Sequence, residues 1–292
     1  SNFCSKNRVF RWRIARKFGV MSNPIRLNPA QLQAFERDGF LVLPQLLSRD
    51  ENAHFLEIVE RLERDFRREN ALSPHETVEI RNAVARAPEL LDLICHPVAV
   101  GAMLDILGWN IQLTTSHVFV RVPNPGEKAS FKAIDWHADG PMPRPPHVET
   151  ASGPAEPRLY AKIGYFLTDL SAPDSGNLRV VPGSHRLAAK PELDENGEPR
   201  GAIQIQTRPG DAVLFENRTW HAVGPNLAGV ARKNIYIGYC HRWMKAIDFQ
   251  EQSAELLARA TPIGRQMLGA SSHELSFYLP SRAPEDVPLR EF

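Results

Sequence analysis

Two periodicities divide this chain. From Met21 to Gly108 apolar residues recur at helical spacing. In "NPAQLQAFERDGF" Asn28 can cap, Pro29 suits the first helical position and Gly39 stops the element. "FLVLP" predicts a short apolar strand. "SRDE" (Ser48 to Glu51) is a capping box opening a long helix whose Phe55, Ile58, Val59 and Leu62 share one face. "SPHE" at Ser73 repeats the start signal, and "PELLDLICHPVAVGAMLDILG" predicts one or two further short helices.

From Asn110 the period shortens to two. "IQLTTSHVFVRV", "LYAKIGYFLT", "LRVVPGS", "AIQIQT", "DAVLFEN", "TWHAV" and "RKNIYIGYC" are short, rich in β-branched and aromatic residues, and bounded by Pro, Gly, Asn and Asp. Many short strands without intervening helices predict an antiparallel barrel or sandwich, mainly β with flanking helices. Helix-like text returns after Met244 ("SAELLARATPIGRQML"). Two inserts break the strands: "RLAAKPELDENGEPRG", and a stretch with six prolines between Pro141 and Pro157 that is expected to form a lid at the pocket mouth. The domain reading is a basic arm (1–20) followed by one domain (21–292), comprising a helical part (28–108), a β core (110–243) and a tail (244–292).

Composition narrows the function classes. A length of 292 residues with 42% hydrophobic and 24% charged residues suits a globular protein. A net charge of +1 gives no electrostatic reason to expect nucleic acid or an anionic membrane as partner. Three scattered cysteines do not make a disulfide framework, which favours a reducing, cytoplasmic setting. Nothing here bears on oligomeric state. The first twenty residues carry six Lys and Arg and no acid, an arm compatible with a targeting element or an upstream extension.

The candidate chemistry starts in "IDWHADGP". Side chains two apart on a strand share a face, so His137 and Asp139 could bind one cation, and Asp135 with His137 is an alternative pairing. "FENRTWHAVGPN" supplies His221 on a late strand, and Arg232 opens the next. Two histidines and a carboxylate make the facial triad of non-haem Fe(II) oxygenases, and an adjacent arginine suits a distal carboxylate as a bidentate fork.

These pieces occur in a recognisable order. "DGFLVLPQLLS", "WHAD", "YFLTD", "SGNLRVVPGSH", "GDAVLF", "WHAVGPN" and then Arg232 resemble the phytanoyl-CoA dioxygenase (PhyH) family from about Leu32 to Tyr239. The resemblance implies a double-stranded β-helix, that is, a jelly-roll, cupin-like core. It also implies an Fe(II)- and 2-oxoglutarate-dependent dioxygenase that uses O2 to hydroxylate a small metabolite or natural-product intermediate, releasing succinate and CO2. Carried over by position, His137, Asp139 and His221 match the iron ligands and Arg232 the 2-oxoglutarate anchor. Arg121, ending "HVFVRVP", matches a basic position that helps hold the co-substrate. A carboxylate at Asp139 sets the chain apart from related halogenases, which carry Gly or Ala there. "PGSH" reads as structural, with His185 a loop residue. The remaining histidines, His117 among them, are expected to be surface or packed residues. Arg81, Arg144, Arg158 and Lys162 make an anionic substrate group conceivable. The competing class is a non-redox cupin-like metal- or ligand-binding protein or isomerase, for which Arg232 would have no use.

Overall fold

The computed structural model describes residues 23–124, 126, 134–139, 158–187 and 190–292, without the side chains of 134 and 135. The expected arm (1–20), the proline-rich stretch read as a lid, and Arg144 lie outside the described residues. The cap expected at Asn28 and the capping box expected at Ser48 both form, and the Asn28 cap is itself a box. Asn28 and Gln31 exchange side-chain bonds at the start of α1 (Pro29–Asp38), and Ser48 and Glu51 do so at the start of α2 (Arg49–Glu69). Each box satisfies amide groups that the first helical turn leaves without partners. Along α2, Phe55, Ile58, Val59 and Leu62 are buried on one face, each contributing about 1.5–3 kcal/mol by leaving water.

Between these helices β1 (Phe40–Leu43) joins the main sheet through β8 (Ala212–Glu216), so the helical segment is stitched into the β core. The third start signal opens no helix. Ser73 N–H still donates to the Glu76 carboxylate, but the chain turns and enters β2 (Val78–Ile80). Thr77–Ile80 alternates polar and apolar residues, and the edge of β3 (Ile111–Arg121) offers a backbone ladder that outweighs a local helix start. Short helices α3 (Ala83–Arg86), α4 (Leu91–Ile94) and α5 (Pro97–Ile106) follow.

The remaining strands are β4 (Ile134–His137), β5 (Tyr160–Phe166), β6 (Leu178–Val180), β7 (Ile203–Ile205), β9 (His221–Val223) and β10 (Arg232–His241). Six form one sheet in the order β1-β8-β5-β10-β3-β2, and four form a second in the order β4-β9-β6-β7. All pairings are antiparallel. This is the jelly-roll core, wrapped on one face by helices.

Alternation along the central strands sorts side chains between two compartments. Ile163, Tyr165, Ile235, Ile237, Val118 and Val120 belong to the larger core, with Phe55, Leu90 and Leu93 from the helical segments. Their neighbours Phe166, Val213 and Phe215 face the second sheet and pack on Leu178, Val180 and Ile205. Lys162, Phe119, Arg121 and Tyr236 share this inward face. Gly164 makes room there, since a Cβ at that position would sit 2.6 Å from the Tyr236 ring.

The tail adds α6 (Ala254–Arg259) and α7 (Pro262–Met267), then short 3-10 turns. Asp248 ties the tail to the core, accepting from Asn82 N–H, Ser116 N–H and the Thr115 hydroxyl. No helix among the described residues is long and apolar enough to cross a membrane.

Candidate metal centre

His137 and His221 face one another directly. They are register partners between β4 and β9, with ring centroids 4.4 Å apart. Asp139 lies two residues past His137, beyond the strand end, and its carboxylate turns back towards both rings. His137 Nε2 lies 3.7 Å from Oδ1, and His221 Nε2 lies 3.6 Å from Oδ2. One ligand atom from each residue falls within 4.8 Å of the others, a spacing that can hold a metal ion. The same-face expectation for His137 and Asp139 therefore holds, although Asp139 is outside the strand. The Asp135 side chain lies outside the described residues.

His221 and Asp139 have the chemical states that a divalent cation needs. His221 Nδ1 lies 2.8 Å from the Thr219 carbonyl, which fixes the proton on Nδ1 and leaves the Nε2 lone pair facing the cluster. Burial pushes the His221 imidazole down to about 4, against the opposing pull of Asp139, so the ring is neutral. Burial alone would raise Asp139, but the Lys162 ammonium and His221 outweigh it and hold the carboxyl at about 2. Lys162 Nζ approaches Oδ2 to 2.5 Å, and the Tyr160 hydroxyl is directed at the same carboxylate.

The cluster opens onto a cavity of about 510 Å³. Arg121, Phe119 and Tyr236 line one part of its wall; Glu79, Arg81 and His117 line another. Arg232 stands one layer behind Tyr236 and is 0% exposed. Its Nη1 donates to the Gly176 carbonyl at 2.9 Å and its Nη2 to the Tyr236 hydroxyl at 2.5 Å, while Nε has no hydrogen-bond partner. Among the described residues no carboxylate pairs with it; instead the rings of Phe119, Phe166 and Tyr236 surround it. Arg121 is its register partner on β3. Two guanidinium groups side by side in the interior, one without a counter-ion, fit a carboxylate-bearing co-substrate. Burial lowers Arg232 from its ordinary value, without removing its charge at neutral pH.

Other expectations resolve less simply. His185 is structural as expected: it is buried, its Nε2 lies 3.1 Å from the Glu36 carbonyl, and it packs under Gly39, whose φ of 80° and close neighbours exclude a side chain. Arg158 is not at the cavity. It is held by Glu36 at 2.8 Å and by the buried Glu216, so its charge is already satisfied. Lys162 does reach the cavity but spends its charge on Asp139. His117, expected to be a surface or packed residue, packs against Phe119 and Tyr236 and also lines the cavity, its Nε2 3.7 Å from Glu79 and without a hydrogen-bond partner. A signal for Lys162 was present, as the one charged residue of a strand that is otherwise apolar, whereas His117 sits on a strand with Gln112, Thr114, Thr115 and Ser116 and does not stand out.

Comparison with known proteins agrees with this geometry. Residues 35–234 match the phytanoyl-CoA dioxygenase (PhyH) family. The chain belongs to that family. The ectoine dioxygenase of Bordetella bronchiseptica is 30% identical over 245 residues, covering 73% of this chain and 75% of that enzyme. HygX from Streptomyces hygroscopicus, solved with nickel and 2-oxoglutarate bound, shares the fold with a TM-score of 0.57 at 18% identity, over 81% of this chain and 95% of HygX. EctD from S. alaskensis, solved with bound Fe, aligns with a TM-score of 0.56 at 22% identity, over 82% of this chain and 86% of EctD. The family is one of dioxygenases, and this chain is a member of it.

Proposed function

We propose that His137, Asp139 and His221 hold the Fe(II), that Arg232 anchors the distal carboxylate of 2-oxoglutarate with Arg121 beside it, and that the substrate is a small polar metabolite. The observation that carries the reading is the cluster of three ligand atoms at one end of the cavity, with His221 locked by Thr219 into the tautomer that presents Nε2. Bound Fe(II) and 2-oxoglutarate supply, with O2, the oxidising power that turns a substrate C–H into an alcohol with release of succinate and CO2.

The protein's own residues bind, orient and exclude. The His137–His221 register sets two donors at fixed separation, so the site is organised before any ligand arrives. Phe215 packs on His221 with ring centroids 4.9 Å apart and shields that side from water. The opposite wall, with Glu79, Arg81, Thr115 and His117, offers hydrogen-bonding groups rather than a hydrocarbon surface. That favours a small polar molecule over an acyl-CoA thioester, in keeping with the resemblance to enzymes named ectoine dioxygenases.

We read residues 21–292 as one domain, supported by Arg26, which joins Asp105 at 2.6 Å and the Phe292 carbonyl at 3.2 Å. The free thiols of Cys95 and Cys240 suit a reducing, cytoplasmic setting. The functional test is a metabolite panel, ectoine included, assayed for substrate-stimulated succinate release with Fe(II) and 2-oxoglutarate. Stoichiometric hydroxylated product supports the reading. A metal-dependent isomerisation without succinate would replace it with the non-redox alternative.

A further inference from the structure

We infer that Lys162 is a positioning residue that confines Asp139 to one-oxygen ligation of the metal, keeping three coordination positions open. This rests on the assignment of His137, Asp139 and His221 as ligands.

The three ligands are not held equally well. His137 and His221 sit on paired strands, and a backbone ladder fixes both. Asp139 lies past the end of β4 and outside that ladder, so its carboxylate needs an anchor from elsewhere. The anchor comes from the opposite sheet. Lys162 occupies an inward position of β5, which is clamped between β8 and β10, and its ammonium crosses the cavity to Oδ2 at 2.5 Å. Its stem passes the Tyr160 ring, with Nζ 5.8 Å from the centroid, and both side chains of the pair are largely buried. Oδ2 also lies 3.6 Å from His221 Nε2, so there the ammonium competes with a cation, and Oδ1, on the His137 side, is the oxygen left to it.

The consequence follows from counting positions. A carboxylate can bind a metal through one oxygen or two. In an octahedral site with two imidazoles, two-oxygen ligation leaves two positions; one-oxygen ligation leaves three, enough for a chelating 2-oxo acid and one further ligand. An ammonium on Oδ2 blocks the two-oxygen mode, and its positive charge also opposes the incoming cation. Lys162 thus trades metal affinity for co-substrate access.

The test uses the full chain, stripped of metal, as wild type, Lys162→Met and Lys162→Ala, with His221→Ala as a control. Mn(II) affinity is read by electron paramagnetic resonance of the free ion. 2-Oxoglutarate affinity is read anaerobically on the Fe(II)-loaded protein from the visible charge-transfer absorption of the chelate. Both Lys162 variants should bind Mn(II) at least ~10-fold more tightly and 2-oxoglutarate at least ~10-fold more weakly, as expected for losing one charge-assisted contact. Because Met and Ala differ in volume, a shared effect reports the lost ammonium, and either variant suffices if the other does not fold. Unchanged affinities, or weakened Mn(II) binding with 2-oxoglutarate binding intact, would overturn the inference alone. Wild type binding metal no better than His221→Ala would overturn the ligand assignment as well.

Discussion

Replacing Arg232 by leucine separates the anchor from the metal. The guanidinium is wholly buried, makes two hydrogen bonds to the protein and has a third donor, Nε, unused. A hydrogen bond to a charged group contributes about 1.5–3 kcal/mol, so losing the anchor should weaken 2-oxoglutarate binding by ~10- to 150-fold. The fold should survive. The Gly176 carbonyl loses a donor, at a cost of about 1–3 kcal/mol, but a buried charge without a carboxylate partner leaves with it. Ligand-induced stabilisation gives an independent readout. At a 2-oxoglutarate concentration of about 100 times the wild-type Kd, wild type gains about 2.7 kcal/mol, whereas a variant weakened ~100-fold gains only about 0.4 kcal/mol. Apparent KM for 2-oxoglutarate and denaturation with and without ligand measure the two, and iron content should be unchanged. An unaltered KM together with full ligand stabilisation would refute the anchor role and move it to Arg121, the register partner that lines the cavity.

Two further outcomes concern stability. Burial, aided by Arg81 and Lys162, pushes His117 down to about 3. The unfolded chain therefore takes up a proton near its ordinary value while the folded chain does not, and stability is lost as pH falls from about 6.5 towards 3, by a few kcal/mol. His117→Phe should flatten the urea-denaturation midpoint between pH 7 and 5; an unchanged slope would contradict a neutral, desolvated ring. Asp248→Ala leaves Asn82 N–H, Ser116 N–H and the Thr115 hydroxyl without their acceptor and should cost about 2–4 kcal/mol in urea denaturation, whereas a loss below about 0.5 kcal/mol would show that water replaces the carboxylate.

Much of the fold was legible because local rules agreed with tertiary ones. The cap at Asn28 and the capping box at Ser48 formed, and the strands read from Asn110 onward take their places in the two sheets, where β1 and β2 join them. The start signal at Ser73 misled because a capping box specifies a local bond, while the edge of β3 decided the path of the next residues. At the site, the His137–Asp139 pair and His221 could be brought together on motif order. The inward position of Lys162 was readable, but the partners of Arg158 and Lys162, Glu36 with Glu216 and Asp139, were not, since they are distant in sequence and meet only after the sheets close. Glu79 reached the cavity by the same route, through the unexpected strand β2.

The most direct test is an anaerobic titration of the metal-free protein with Fe(II) in the presence of 2-oxoglutarate, followed by the visible charge-transfer absorption of the chelate. Wild type should saturate at one Fe(II) per chain, Arg232→Leu should need at least ~10-fold more 2-oxoglutarate to reach the same absorption, and His221→Ala should give none. Saturation of His221→Ala at wild-type stoichiometry with wild-type absorption would contradict the assignment of the metal centre.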